Sequence, residues 1–380
     1  MKTTITRAAL AEAAQAVKGL VAKDGLSPFS RIRLDASGCL SVTGSNGDVQ
    51  VEWRLDGDVT DRGTVTVPGA AFAAFVAAMP EGTVEISAEH SSAVKSRVTM
   101  EGDGVRFKLA AGEAADFYVM LGPNKAAALE INVILLREML RKVRFAVSTD
   151  LTRKSLTGVN VALKGGLLGM TATDGCRLAH VEQDLARQAE HSSAFKASFN
   201  VTLPIKAVGA LYGLLEKTAD DDLVAIAADG KSVRFVGGTW CLTAKVLEEI
   251  YPNWQKVVPG ELPHSAVLDR GKFLEAMGRA ALADDGTSGV KITLRNTSVA
   301  FEAKNDITAA NAGMAACKME NGVKGEFRVD PRLLKDALES IDEDDFTLHF
   351  DDDGKKPIKL TCSLPWVAVV MPLQKMGKEG

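Results

Sequence analysis

The chain runs to 380 residues, 46% apolar and 25% charged, with a net charge of −4. A length of that order holds two to four domains of roughly 100 to 200 residues, and the composition excludes a disordered or collagen-like chain. The acidic balance excludes a protein that coats nucleic acid over its whole surface, and the longest uncharged apolar run, residues 70–79, stops at Pro80, short of the roughly 20 residues that a membrane span needs.

Taken in chain order, the first helical pattern covers residues 7–20, and a short alternating segment, 39–43, ends at the turn Gly44-Ser45-Asn46-Gly47. Thr64-Val65-Thr66-Val67 then runs into Pro68 and a helix over 71–79, with strands predicted at 84–87 and 105–109. After the linker Gly122-Pro123-Asn124-Lys125 the same order begins again. In the helix predicted over 134–147, Leu136, Leu140, Val143 and Val147 share one face while Arg137, Arg141 and Arg144 form a basic stripe on another. Asn200-Val201-Thr202-Leu203 meets Pro204 and a helix over 205–217, and strands follow at 224–227 and 232–236. Beyond a second linker, Pro259-Gly260-Glu261-Leu262-Pro263, come a helix over 270–283, a strand at 291–294, and Glu326-Phe327-Arg328-Val329-Asp330 leading to Pro331 and a helix over 332–340. The pattern therefore occurs three times, and the fold class is α+β: three tandem similar domains, 1–124, 125–262 and 263–380, each with two helices and antiparallel sheets. The six helical segments carry a net +7, which leaves −11 on the rest of a chain whose total is −4. Helices gathered on one surface would attract a polyanion while the remainder repelled it.

Four local motifs narrow the reading. They are Ser148-Thr149-Asp150-Leu151-Thr152-Arg153-Lys154-Ser155-Leu156-Thr157-Gly158, then Ala172-Thr173-Asp174-Gly175-Cys176-Arg177-Leu178-Ala179, then Tyr251-Pro252-Asn253-Trp254-Gln255-Lys256-Val257-Val258-Pro259, and finally Val369-Val370-Met371-Pro372-Leu373. In order and spacing, together with Ala114-Ala115-Asp116-Phe117, they resemble the bacterial β sliding clamp family, the processivity factors of DNA polymerase III. The resemblance implies a DNA clamp fold and a head-to-tail homodimer, closed into a ring whose helices line a hole for duplex DNA held without sequence readout. It further implies partners that dock by a short peptide: the replicative DNA polymerase subunit, the clamp loader and other proteins with a clamp-binding motif. Their pocket would be built from Leu156, Thr173, Gly175, Arg177, Leu178, Pro252, Lys256, Val257, Val369, Met371, Pro372 and Leu373, with Leu373 beside the loops that bear Leu178 and Val257. DNA contact is expected from Lys23, Arg153 and Lys154 beside the stripe of Arg137, Arg141 and Arg144. The dimer seam is expected at Phe107, Leu109, Leu282 and Ala283. Cys176 stands where the family often has histidine, Lys154-Ser155 where it often has aromatic residues or proline, and residues 374–380 run past the usual terminus.

Other chemistries fit less well. A catalytic Asp174 or a Cys176 nucleophile would need a base and an orienting group in reach, and the five histidines show no metal-ligand spacing, so neither an enzyme, a cofactor nor a metal is expected. Asp342-Glu343-Asp344-Asp345 and Asp351-Asp352-Asp353-Gly354 lack the ligand spacing of a calcium loop. The five cysteines are odd in number and scattered, as in a reducing cytoplasm, and Glu12 interrupts the apolar start of the chain, so no signal peptide is expected. The alternative function is a monomeric three-repeat protein-binding scaffold that never encircles DNA.

Overall fold

Each helix starts where a side chain or a proline can begin it. In the computed structural model, which describes residues 1–22, 27–89, 96–124, 129–185, 198–295, 297–315, 318–319, 324–352, 354–363 and 365–373, the helices are α1 (Arg7–Lys18), α2 (Gly69–Ala78), α3 (Val133–Arg144), α4 (Ile205–Leu215), α5 (Arg270–Ala281) and α6 (Pro331–Glu339). Thr6, Asp269 and Asp330 accept hydrogen bonds from Ala9, Lys272 and Arg332, satisfying amides that the first turn leaves unpaired. Only Pro331 lies inside the first turn of its helix. Pro68 and Pro204 occupy the cap position and end the preceding strand. No helix among the described residues is long and apolar enough to cross a membrane.

The chain divides into two compact units, Met1–Arg137 with Ser193–Val246, and Glu138–Ser192 with Leu247–Gly380. In the first unit a five-stranded sheet runs in the order Asp58–Asp61, Lys2–Thr6, Thr83–Glu89, Arg97–Gly102, Val105–Ala110. An eight-stranded sheet runs Leu129–Asn132, Leu223–Ala228, Ser232–Val236, Trp240–Lys245, Val49–Leu55, Leu40–Ser45, Arg31–Ala36, Thr64–Pro68. In the second unit one sheet passes through Gly158–Lys164, Leu167–Thr173, Arg177–Asp184, Trp366–Val370, Ile358–Thr361, Asp345–Phe350 and His264–Asp269. A four-stranded sheet runs Ala309–Ala315, Ser298–Lys304, Val290–Arg295, Lys324–Val329. Alternation sends the apolar residues to the helix side, where Leu10, Phe72 and Phe273 are fully buried, and Phe273 meets Phe301 and Phe346 edge-on at 5.0 and 5.2 Å.

The repeats are sewn by one rule. Trp240–Lys245 pairs antiparallel with Val49–Leu55, Trp240 opposite Trp53, and Trp366–Val370 pairs in the same way with Arg177–Asp184, Trp366 opposite Val181. Each of these joining strands opens on a buried tryptophan whose indole N–H is satisfied, Trp240 by Thr218 Oγ1 at 2.8 Å and Trp366 by the Lys142 carbonyl at 3.0 Å. The strands Val105–Ala110 and Ala309–Ala315 are edges of their sheets.

Candidate functional site

A tight turn recurs along the chain, at least once in each repeat. The side-chain oxygen of Asp174 accepts from the amides of Cys176 and Arg177, both at 2.9 Å. Asn46 holds the amides of Asp48 and Val49 at 3.0 and 2.8 Å, and Asn305 holds those of Ile307 and Thr308 at 2.8 and 2.7 Å. Such side chains mimic a backbone turn, which is why Asn and Asp head these loops. In the middle copy Gly175 has φ of +90°, a left-handed conformation that glycine adopts without cost, and Thr173 Oγ1 binds both the Gly175 amide and the Arg177 carbonyl.

Register decides what stands together around that turn. Thr173 is opposite Leu178, and Leu178 is opposite Val369, so the three side chains share one face of the sheet. Leu178 and Val369 are each 1% exposed. His180, two residues beyond Leu178, points to the same face and stacks under Trp254 with ring centroids 4.0 Å apart. Its Nδ1 lies 2.9 Å from Thr171 Oγ1, and burial pulls its pKa down to about 4. Tyr251 donates to the Thr171 carbonyl at 3.4 Å, and burial pushes its hydroxyl pKa well up. Pro252, Lys256 and Val257, all exposed, therefore ride on a loop fastened to the face that carries Leu178. Leu156 is buried at the end of the 3₁₀ turn Lys154–Leu156, and its carbonyl accepts from Ser148.

The C-terminal segment leaves the sheet against the turn. The Met371 amide donates to the Cys176 carbonyl at 2.8 Å, Pro372 is buried, and Met371 is 37% exposed. The Leu373 amide donates to the Arg328 carbonyl at 2.7 Å, and the leucine Cδ1 lies 2.5 Å from where a Cβ on Gly289 would stand. Pro372 ends the strand and redirects the chain onto the third repeat.

Arg177 is spoken for within the chain. Its guanidinium bonds Asp174 at 3.0 Å and Asp336 of α6 at 2.5 Å, and it lies 5.4 Å from the centre of the Phe145 ring. The basic stripe of α3 is likewise engaged. Arg137 pairs with Asp220 at 2.8 Å, and Arg141 bonds Glu138 and Asp342. Burial opposes the Arg141 charge, but hydrogen bonds to Glu138 and Asp342 more than offset it and leave the pKa raised. Arg144 and Lys154 are exposed, and Arg153 pairs with Asp150 at 2.9 Å. Lys23, Cys317 and residues 374–380 lie outside the described residues.

At the expected seam, Leu109 and Ala283 are 4% and 3% exposed, so their side chains are already packed inside their own repeat. Phe107, on the same strand face as Leu109, stacks on Phe75 of α2 at 4.4 Å. Leu282, which caps α5, is 86% exposed. Sequence reasoning assigns no role to Trp254, Asp336 or Gly289, of which only Trp254 stands in a quoted motif, and it weighs His180, just past the motif that ends at Ala179, only as a neighbour of a catalytic Asp174. Among the described residues no group of three or more His, Cys, Asp or Glu is placed to hold a metal ion.

Family comparisons follow the same threefold division. Residues 1–121 match the model of the DNA polymerase III beta subunit N-terminal domain, 130–253 that of its central domain and 255–372 that of its C-terminal domain. The beta sliding clamp of Caulobacter vibrioides is 28% identical over 98% of this chain and 100% of its own length, and that of Synechocystis sp. is 27% identical over 88% of each. Among solved structures, a Pseudomonas aeruginosa sliding clamp bound to griselimycin has 26% identity and a TM-score of 0.89, covering 98% of this chain and 99% of that one. Three matches in series, spanning nearly all 380 residues, place the chain in the DNA polymerase III beta subunit family.

Proposed function

We infer that this chain is a DNA polymerase processivity factor: a sliding clamp that encircles duplex DNA without sequence specificity and tethers the replicative polymerase by a peptide-binding pocket. The observation that carries the reading is the threefold repeat, matched in series by three beta subunit domains and joined internally by strand pairing. The scaffold alternative is not favoured, because it offers no reason for that series.

The same joining rule supports a head-to-tail homodimer. Two repeats are joined by the last strand of one lying on an earlier repeat, and Val105–Ala110 in the first repeat and Ala309–Ala315 in the third each end a sheet. Pairing one of these edges with the other on a second copy, twice, would close a ring of six repeats, in which neither strand is left to extend a filament. The exposed Leu282 belongs to that seam. The repeats would correspond to 1–124, 125–262 and 263–380. On this reading the chain does no chemistry of its own, works in the cytoplasm, and holds DNA through Lys23, Arg137, Arg141, Arg144, Arg153 and Lys154. The pocket of Leu156, Thr173, Gly175, Arg177, Leu178, Pro252, Lys256, Val257, Val369, Met371, Pro372 and Leu373 would take apolar anchors from the polymerase, the clamp loader and other partners. Burial of one such side chain is worth roughly 1.5 to 3 kcal/mol, which suits exchangeable binding.

The deciding experiment is topological. After loading by the clamp loader, the protein should stay on nicked circular DNA in high salt, where phosphate contacts are screened, and slide off once the circle is cut. Release from the intact circle by salt alone would reject encirclement.

A further inference from the structure

We propose that His180 and Trp254 form a clasp that positions one wall of the partner pocket, making His180 a positioning residue for peptide binding although it lines no part of the pocket itself. The proposal rests on the pocket reading above.

Three features on the page build it. First, the loop that carries Pro252, Lys256 and Val257 rests on the sheet through Trp254, whose ring stacks on His180 at 4.0 Å with 27° between planes. The 3₁₀ turn Trp254–Lys256 follows at once, and the Val257 amide bonds back to the Trp254 carbonyl at 2.9 Å, so the place of the indole dictates the place of Lys256 and Val257. Second, the imidazole is itself held. Thr171 Oγ1 meets Nδ1 at 2.9 Å, and Gly169 on the neighbouring strand leaves room: a Cβ there would lie 3.3 Å from the imidazole Cε1. Third, Tyr251 ties the start of the loop to the Thr171 carbonyl at 3.4 Å, so one threonine orients the imidazole and receives the loop. Because Leu178 and His180 alternate onto the same face, the clasp lies one side chain away from the pocket floor.

A loop wall that is held in place before binding spares the peptide the cost of ordering it, so the clasp acts on affinity and chiefly on dissociation. The probe is fluorescently labelled griselimycin, the compound seen bound to the Pseudomonas aeruginosa relative, read by anisotropy on the full-length chain. Loss of an aromatic stack should weaken binding by about three- to tenfold for both His180→Ala and Trp254→Ala, while Trp254→Phe, which keeps a ring over the imidazole, should bind within about twofold of the unaltered protein. The two alanine variants act through one contact, so the double variant should bind no worse than either alone. Thermal midpoints are measured alongside, and the cycle is read among variants that melt as the parent does; the Phe variant keeps the comparison if an alanine variant unfolds. Unchanged affinity in His180→Ala, or losses that simply add in the double variant, would overturn the clasp. Met371→Asp separates the two ideas: if it leaves binding intact, or the unaltered protein does not bind the probe, the pocket reading falls and the clasp with it. If Met371→Asp abolishes binding and the clasp variants do not weaken it, the pocket stands and the clasp is rejected.

Discussion

His180 enters the fold neutral, and that makes it a pH liability. Its pKa drops from the ordinary 6.5 to about 4 because burial disfavours the imidazolium. The unfolded chain therefore binds the proton first: the His180 contribution to stability is complete above pH 6.5 and is lost as pH falls toward 4, on the order of 2 kcal/mol by pH 5. His180→Phe should flatten stability over that window, as read by urea unfolding at successive pH values. Gly289 is a second sensitive position. Its φ is +61°, and a Cβ would stand 2.4 Å from the Val329 carbonyl oxygen, a backbone atom that cannot step aside. Gly289→Ala should cost about 2 kcal/mol or more, seen as a lower urea midpoint at unchanged slope. At this scale the sequence was partly legible. The turn headed by Asp174 follows from residue chemistry alone, whereas the resting place of Leu373 depends on a glycine more than eighty residues earlier that no local pattern connects to it.

Helices were the most legible elements, since apolar spacing marks the face that must be buried, and their observed ends fall within two residues of the predicted ones except at the end of α3, which stops at Arg144, three residues before 147. What α3 does with its other face was not legible. A run of three arginines at helical spacing reads as a free basic stripe, yet Arg141 meets Asp342, 201 positions away, and Arg137 meets Asp220. Lys142, next to Arg141 in the chain, is 3% exposed with its ammonium 3.9 Å from Glu343. Removing one member of such a pair strands the other in a poorly solvated place. Lys142→Met should therefore cost about 3 kcal/mol, and adding Glu343→Leu should recover most of it, a comparison that denaturant unfolding of the two variants resolves. Strand Val105–Ala110 shows the opposite failure. Its alternation was read correctly, but the face that carries Phe107 and Leu109 turns toward α2, so the strand offers a partner its backbone edge more than those side chains.

For the whole molecule, the proposed seam predicts that Leu282→Asp is monomeric by light scattering while melting close to the parent. A side chain 86% exposed in the single chain carries little of that chain's stability and much of an apolar interface. The threefold plan was visible in the spacing of Pro68, Pro204 and Pro331, but the way the repeats join was not, because strand pairing between distant segments leaves no trace in local periodicity. That joining has a consequence for synthesis. Val49–Leu55 acquires its second neighbour only when Trp240–Lys245 arrives, and the Lys245–Asp48 contact spans 197 positions. At roughly 5 to 20 residues per second, the nascent first repeat waits about 10 to 40 s with a strand that is apolar at alternate positions open along one side. During that interval each growing chain resembles every other on the same messenger, so stalled translation between these segments should yield cross-paired aggregates, and a codon change that slows the ribosome there should lower soluble yield without altering the finished protein.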